Sequence, residues 1–259
     1  MKRHLVLTLA AVAAAIALVG CFDVEQSVSL QRDLSGTASF SMTIDLEPMI
    51  VFMVSMQHSM SGKEGEPTPA EIDQARKSFL EQQKKDPAKQ KQETAAQQAQ
   101  LEQTLPAGVK LLSSSVEDHG TKVAVRCQFG FDDVRKLAKI KLPEKGGAGQ
   151  PGKNPFSDPF SSLQITDEGP TLLLTIGGGS PAARLQEQAA KDGAAATPEM
   201  SKALEGAFKG ARFAFRLDSP FEVVETNATR RDGRTLYWEV RATDPNATLP
   251  QTLTARLKK

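Results

Sequence analysis

Few residues in this sequence are of a type that does chemistry, and their spacing fits no catalytic pattern. Nucleophilic catalysis needs a Ser or Cys beside a His base and an orienting acid. Beyond the N-terminal segment the sequence has only two histidines, His58 and His119, and His119 falls in a predicted turn. There is no G-x-S-x-G nucleophile elbow. We therefore expect no catalytic residue and no enzyme activity; a hydrolase without a recognisable motif remains an alternative.

A methionine-rich stripe is a second candidate for chemistry. Its members recur three and four residues apart within the segment 47–60: Met49, Phe52, Met53 and Met56. That spacing is typical of one face of a helix. Thioethers favour Cu(I), but methionine at helical spacing is more typical of an apolar surface that adapts to irregular shapes. We expect no metal and no cofactor, and predict that the stripe lines an apolar site that takes up an acyl chain. The alternative is a helix sealed onto the sheet as core.

The clearest signal lies in residues 1–21. Lys2 and Arg3 precede an apolar run that is too short to span a bilayer comfortably, which is the build of a secretory signal. The run closes in Leu18-Val19-Gly20-Cys21, which resembles the lipobox of bacterial lipoproteins, where the Cys is acylated and becomes the new N-terminus. We predict that residues 1–20 are a cleaved signal peptide and that Cys21 carries the lipid. An ordinary cleaved signal or an uncleaved anchor is the alternative.

This anchor predicts a protein held on the cell membrane or outer membrane, facing the periplasm or the cell exterior. Phe22 stands where many enteric lipoproteins carry the Asp that retains them in the inner membrane, which favours the outer membrane. The 32 Lys and Arg residues nearly balance the 31 Asp and Glu residues, and no basic block is present. The chain therefore lacks the electrostatic footprint of a nucleic-acid-binding protein.

Alternating apolar residues predict short strands along most of the chain. The segments are Phe22–Leu30, Ala38–Leu46, Val109–Glu117, Thr121–Phe131, Ser162–Thr166, Thr171–Ile176, Phe213–Leu217, Leu236–Val240 and Leu253–Leu257. The alternation places Cys127 and Trp238 on apolar strand faces, so we predict that both are buried. Strands and helices in no βαβ order predict an α+β domain over residues 21–259. We expect an antiparallel sheet of about eight to ten short strands, with helices packed on one face.

Helices are predicted at Glu47–Met60, Asp132–Ile140 and Pro198–Lys209, and in a long insertion over about 69–105 that Pro87 interrupts. Sparse apolar residues in Ala70–Gln103 predict an exposed arm that is dispensable for folding. The segments of about 143–160 and 177–197 are rich in small residues and Pro, and are predicted to be flexible loops.

The segment Phe213–Lys259 combines an alternating strand, a Pro turn, a V-x-x-x-N strand, a D-G turn and a T-x-x-W strand. Its matching positions are Pro220, Val223, Asn227, Asp232, Gly233, Thr235 and Trp238. With the lipobox and a first hairpin whose turn ends in Gly36, it resembles the LppM-type domain of bacterial lipoproteins. Phe221 departs from that pattern, in which Gly commonly follows the Pro. The resemblance implies an α+β fold, export as a lipoprotein and a lipid- or glycolipid-binding role.

The sequence therefore predicts a membrane-anchored, non-enzymatic envelope lipoprotein that binds a lipid or an envelope component at the membrane surface. Its membrane contact is the lipid on Cys21. The alternative is an interaction or assembly factor that reaches a partner protein through the exposed arm Ala70–Gln103.

Overall fold

A computed structural model describes residues 21–61, 66–83, 87–142, 159–177, 211–241, 250 and 252–259. The predicted signal peptide 1–20 and the predicted helix Pro198–Lys209 lie outside the described residues. So do most of the two predicted loops, 143–160 and 177–197.

The described chain contains eleven strands, three α-helices and one 3-10 helix. The strands are β1 (Cys21–Leu30), β2 (Gly36–Asp45), β3 (Val109–His119), β4 (Lys122–Phe131), β5 (Leu163–Asp167), β6 (Thr171–Gly177), β7 (Arg212–Asp218), β8 (Glu222–Thr226), β9 (Arg230–Asp232), β10 (Thr235–Arg241) and β11 (Thr252–Lys258). The helices are α1 (Glu47–Met60), α2 (Pro69–Gln83) and α3 (Pro87–Thr104), and the 3-10 helix is Val134–Lys139.

The strands form two sheets, which confirms the α+β prediction and refines it. The larger sheet has seven strands in the order β3-β4-β2-β1-β7-β10-β9, and the smaller has four in the order β5-β6-β11-β8. Neighbouring strands are antiparallel except β1 and β7, which run parallel with Val28 beside Leu217. Strands far apart in sequence thus meet at the centre of the larger sheet.

One cluster of buried side chains is built from both sheets, because the alternation predicted from the sequence turns every second residue inward. Its largest fully buried members are Trp238, Phe40, Phe129, Phe160, Phe215, Leu137, Ile140, Leu174, Leu217, Leu236 and Leu253. Trp238 and Cys127 are both buried, as predicted. Phe160, at the edge of a predicted loop, belongs to this core.

Gln26, the polar residue that interrupts the apolar alternation of β1, is also buried. Its side-chain Nε2 donates a hydrogen bond of 2.8 Å to the carbonyl oxygen of Pro159. A buried amide is costly unless it is hydrogen-bonded, so this contact explains how β1 keeps a polar side chain on its inner face.

Asn227 connects the two sheets. Its Oδ1 accepts hydrogen bonds from Trp238 Nε1, at 2.9 Å, and from the backbone N–H of Thr254, at 2.8 Å. Its Nδ2 donates to the carbonyl oxygen of Thr252, at 2.7 Å. Trp238 belongs to β10 and the two threonines to β11, so one amide side chain ties the larger sheet to the smaller. The Asn and the Trp of the sequence motif are therefore hydrogen-bond partners.

The predicted helix Asp132–Ile140 is instead a 3-10 helix. Asp133 caps it by accepting a 2.9 Å hydrogen bond from the backbone N–H of Arg135. Val134, Leu137 and Ile140 are fully buried in the common core, so the three-residue period fits this short segment onto the sheets.

The helical arm is less independent of the domain than its sequence predicts. Pro87 begins α3, as expected of a proline at the first turn of a helix. Most described side chains of α2 and α3 are exposed or half-buried, but Leu101 is only 4% exposed and belongs to the core cluster. The C-terminal end of the arm is thus anchored in the core.

We expect residues 70–97 to be replaceable by a short Gly/Ser linker with little change in the free energy of unfolding, because this segment contributes no described residue to the core cluster. Leu101→Ala, by contrast, should cost about 2–5 kcal/mol through loss of a buried side chain. Urea unfolding followed by Trp238 fluorescence measures both. A linker variant that no longer unfolds cooperatively would show that α2 is part of the folding unit.

Candidate functional site

The predicted lipid-attachment residue, Cys21, is the first residue of β1, the central strand of the larger sheet. Strand pairing aligns His119 with Lys122, Lys122 with Asp45, and Asp45 with Cys21. These residues form one row, which we call the anchor end of the sheet. Because β1 begins at Cys21 itself, no described spacer separates the folded domain from the predicted lipid.

Helix α1 starts at the anchor end, two residues after Asp45. Ile50 is fully buried, Val54 is 9% exposed and the side chain of His58 is 9% exposed, so these three positions form the packed row of the helix. Met53 is 39% exposed. Of the other predicted ligand-lining residues, Met49, Phe52 and Met56, the structure describes the helical backbone and not the side chains. It therefore places all four on one helix, and their predicted role stays a prediction.

Two polar contacts hold α1 against α2. Arg76 Nε donates to both carboxylate oxygens of Glu47, at 2.9 and 3.1 Å, and the guanidinium also pairs with Asp73. The hydrogen bonds from Arg76 hold the pKa of the Glu47 carboxyl below its ordinary value. At the other end of α1, His58 Nδ1 lies 3.5 Å from Glu71 Oε2.

Sequence reasoning missed this His58 contact, since Glu71 is 13 residues away on another helix. Both ring nitrogens of His58 are buried and form no hydrogen bond with a described residue. At 3.5 Å, Glu71 is thus a close neighbour of the ring without the geometry of a hydrogen bond. Thr68 and Glu71 form a capping box at the start of α2, with the Thr68 N–H donating to Glu71 Oε2 at 2.9 Å.

Four carboxylates near the anchor end are paired with cations. Arg212 lies 3.0 Å from Asp23, 3.4 Å from Glu25 and 3.1 Å from Glu239, across three neighbouring strands. The hydrogen bond from Arg212 is the main reason that the pKa of Glu239 is lowered. Lys122 Nζ lies 3.5 Å from Asp45. The negative charge of these four carboxylates is therefore compensated.

Cys127 is a buried residue of the larger sheet. It is 5% exposed, and its Sγ lies 3.8 Å from Ser114 Oγ. Burial raises the pKa of the Cys127 thiol, and the contact with Ser114 opposes that shift in part. A raised pKa lowers the thiolate fraction, and the thiolate is the reactive form.

We expect Cys127 to react with maleimide or a disulfide reagent more slowly in the folded protein than in urea, because burial shields the sulfur and the raised pKa lowers its thiolate fraction. A Leu112→Cys variant is the exposed control, because Leu112 is 54% exposed. Labelling of native Cys127 as fast as the thiol introduced by Leu112→Cys would contradict its burial.

Within the described part of the chain the geometry assembles no reactive centre. His119 is exposed in the β3–β4 turn, with Nε2 3.5 Å from Glu117 Oε2. Three or more His, Cys, Asp or Glu side chains do not converge on one point among the described residues. Of the helices described, none combines the length and the apolar character needed to cross a bilayer.

Comparisons with known proteins add structural similarity. No protein-family model matches the chain, and no curated protein matches it. The NMR structure of the folded domain of LppM from Mycobacterium tuberculosis is similar, with a TM-score of 0.42 and 12% sequence identity, over 92% of this chain and 90% of that chain. The chain resembles that domain. The resemblance identifies neither a ligand nor a partner for this protein.

Proposed function

We propose that the protein is a non-enzymatic lipoprotein of the bacterial envelope, attached through acylated Cys21, that binds lipid at the membrane surface. The observation that supports this most is the position of Cys21, which closes a lipobox-like sequence and opens the central strand of the fold. A folded domain that begins at its own lipid is held against the bilayer. Cleavage by the lipoprotein pathway and a site on the outer membrane belong to this proposal.

The candidate lipid contact is the apolar stripe of α1, Met49, Phe52, Met53 and Met56. Met53 supports it, because this large apolar side chain is exposed on a helix that starts beside Cys21. Flexible thioether side chains suit the irregular surface of acyl chains. The helix that carries the stripe begins two residues after Asp45, which pairs with Cys21.

Native mass spectrometry tests lipid binding. Protein without its signal peptide and with Cys21→Ser should carry co-purified or added phospholipid, and Met53→Glu should reduce the lipid-bound fraction at least about tenfold, because a charged carboxylate is costly in an apolar contact. Leu112→Glu is the matched control, since Leu112 is an exposed apolar residue of β3. Circular dichroism checks that each variant is folded. Lipid binding that Met53→Glu leaves unchanged would contradict the α1 site.

A second candidate function is protein–protein interaction through the arm formed by α2 and α3. The exposure of most described side chains in α2 and α3 favours it. Replacing residues 70–97 by a linker would then abolish recovery of a cross-linked envelope protein from intact cells. Equal recovery with and without the arm would contradict this function.

A further inference from the structure

Helix α1 has two different faces, and the packed row lies on only one of them. Ile50, Val54 and His58 follow at intervals of four residues and form the buried row. Glu47, which binds Arg76 of α2, falls on the same side of the helix. At 3.6 residues per turn, positions 49, 52 and 56 fall on the opposite side, with Met53 at its flank. The positions of the apolar stripe therefore lie on the side away from the row that packs.

This arrangement is unusual for a helix in water. A surface helix of a globular protein turns its apolar stripe to the core and its polar residues outward. In α1 neither Ile50 nor Val54 belongs to the core cluster shared by the sheets, and the polar contacts to α2 lie on the packed side. Met53, the stripe residue whose side chain is described, is 39% exposed on this other side of the helix.

The location of α1 indicates which partner this is. Cys21 pairs with Asp45, and α1 begins at Glu47, two residues further on. Two residues span at most about 7 Å, so the first turn of α1 lies beside the predicted lipid attachment. The helix has 14 residues and is about 21 Å long. The N-terminal end of α1 is therefore close to the point at which the predicted lipid would enter a bilayer.

The charges near α1 permit such a contact. The carboxylates of Asp23, Asp45 and Glu47 each form an ion pair with Arg or Lys. Compensated carboxylates do not repel an anionic lipid surface strongly, and α1 itself carries no Lys or Arg that would attract one. The contact would depend on burial of apolar side chains, and it should be insensitive to salt.

We propose that α1 lies in the plane of the bilayer interface, with its methionine stripe among the acyl chains of the leaflet that holds the lipid of Cys21. This inference deepens the proposed function and rests on its membrane anchor. One lipid chain alone attaches a protein weakly, and a second membrane contact strengthens attachment greatly. The contact along α1 also fixes how the domain is oriented on the membrane, because a lipid attached at Cys21 alone would let the domain rotate.

Fluorescence quenching by brominated phospholipids tests this orientation in the full acylated protein. A tryptophan in Met53→Trp, in phosphatidylcholine vesicles brominated near the headgroup end of the acyl chain, should lose at least half of its emission. Leu112→Trp is the control, because Leu112 lies far from Cys21. Its neighbour Leu111 is aligned through β4 and β2 with Val28, which is seven residues from Cys21 along β1. That distance is roughly 23 Å along the strands, so Leu112→Trp should keep its emission. Native Trp238 is fully buried and supplies the constant background.

Several outcomes would overturn the inference. Mass spectrometry first shows whether Cys21 is acylated. If it is, and Met53→Trp emits equally with and without bromine, then α1 faces water although the protein is lipid-anchored. Quenching that disappears in 1 M salt would show an electrostatic contact instead of an apolar one. Brominated lipid bound to the protein in solution could quench residue 53 although brominated vesicles do not. That result would show that the protein removes single lipid molecules from a membrane, and that α1 does not lie in the bilayer interface. If Met53→Trp folds poorly, a nitroxide spin label attached to the cysteine of Met53→Cys measures the depth of residue 53 in the bilayer instead.

A chain without acyl modification that also fails to sediment with vesicles would overturn both the anchor and the inference. An unmodified chain that is still quenched at residue 53 would overturn the anchor and leave α1 as a membrane contact.

Discussion

Replacing Trp238 by Ala is expected to lower the free energy of unfolding by about 3–5 kcal/mol. Trp238 is fully buried, its ring centroid lies 5.7 Å from that of Phe215, and its Nε1 donates to Asn227. The variant loses a large apolar side chain and the contact through Asn227 between the sheets. Because small domains are stabilised by only about 5–15 kcal/mol, this single change removes a large share of the stability.

Urea unfolding followed by far-ultraviolet circular dichroism measures this effect, since Trp238 is the only tryptophan. Trp238→Phe should cost less, because it keeps most of the apolar volume and loses only the hydrogen bond to Asn227, whose Oδ1 still accepts from the Thr254 N–H. One such hydrogen bond contributes about 0.5–1.5 kcal/mol. Val224→Ala is the control, since Val224 is 56% exposed on β8, and should change stability by less than about 0.5 kcal/mol. Equal midpoints for Trp238→Ala and Val224→Ala would contradict the core assignment.

Cys21→Ser is expected to move the protein from the membrane fraction to the soluble fraction, or to block its processing. Each buried methylene of an acyl chain contributes about 0.8 kcal/mol to membrane binding, so loss of the lipid removes most of the attachment. The contact proposed for α1 is weaker and should not hold the protein alone. Membrane fractionation and mass spectrometry of the mature N-terminus measure the two effects.

Cys127→Ser is the matched control for this experiment, because Cys127 is the other cysteine and is buried in the sheet. It should leave fractionation unchanged. The expected N-terminal peptide begins with acyl-modified Cys21. A mature chain that begins at Met1, Ala17 or Leu18 would contradict the lipoprotein assignment.

The strands were predictable from the sequence because a strand buries alternate residues. This two-residue period is visible in β1, at Val24 and Val28, and in β4, over Val123–Phe131. The residues that point inward on these strands belong to the core. The hairpins were predictable for a similar reason, since local turns join β1 to β2, β3 to β4, and β5 to β6. Strands and hairpins depend on residues that are close in the sequence, so the sequence predicts them.

The candidate site was predictable only in part. Helical spacing predicted one face for Met49, Phe52, Met53 and Met56, and composition showed that this face is apolar. The sequence did not show that Ile50, Val54 and His58 form the packed row, because both sides of α1 carry large apolar residues. Which side packs depends on the position of α2, and that position depends on contacts such as Arg76 with Glu47.

By itself the sequence determined the alternation of the strands, the spacing of the methionine stripe and the burial of Cys127 and Trp238, all of which depend on neighbours in the chain. It also carries the prediction of a lipid anchor at Cys21. Tertiary structure alone decided the division into two sheets, the parallel pairing of β1 with β7 and the bonds of Asn227 to Trp238 and Thr254. These pairings join segments that alternate in the same way, so apolar pattern does not distinguish one partner from another. The choice is made by the packing of the whole core and by the hydrogen bonds that buried polar groups such as Gln26 require.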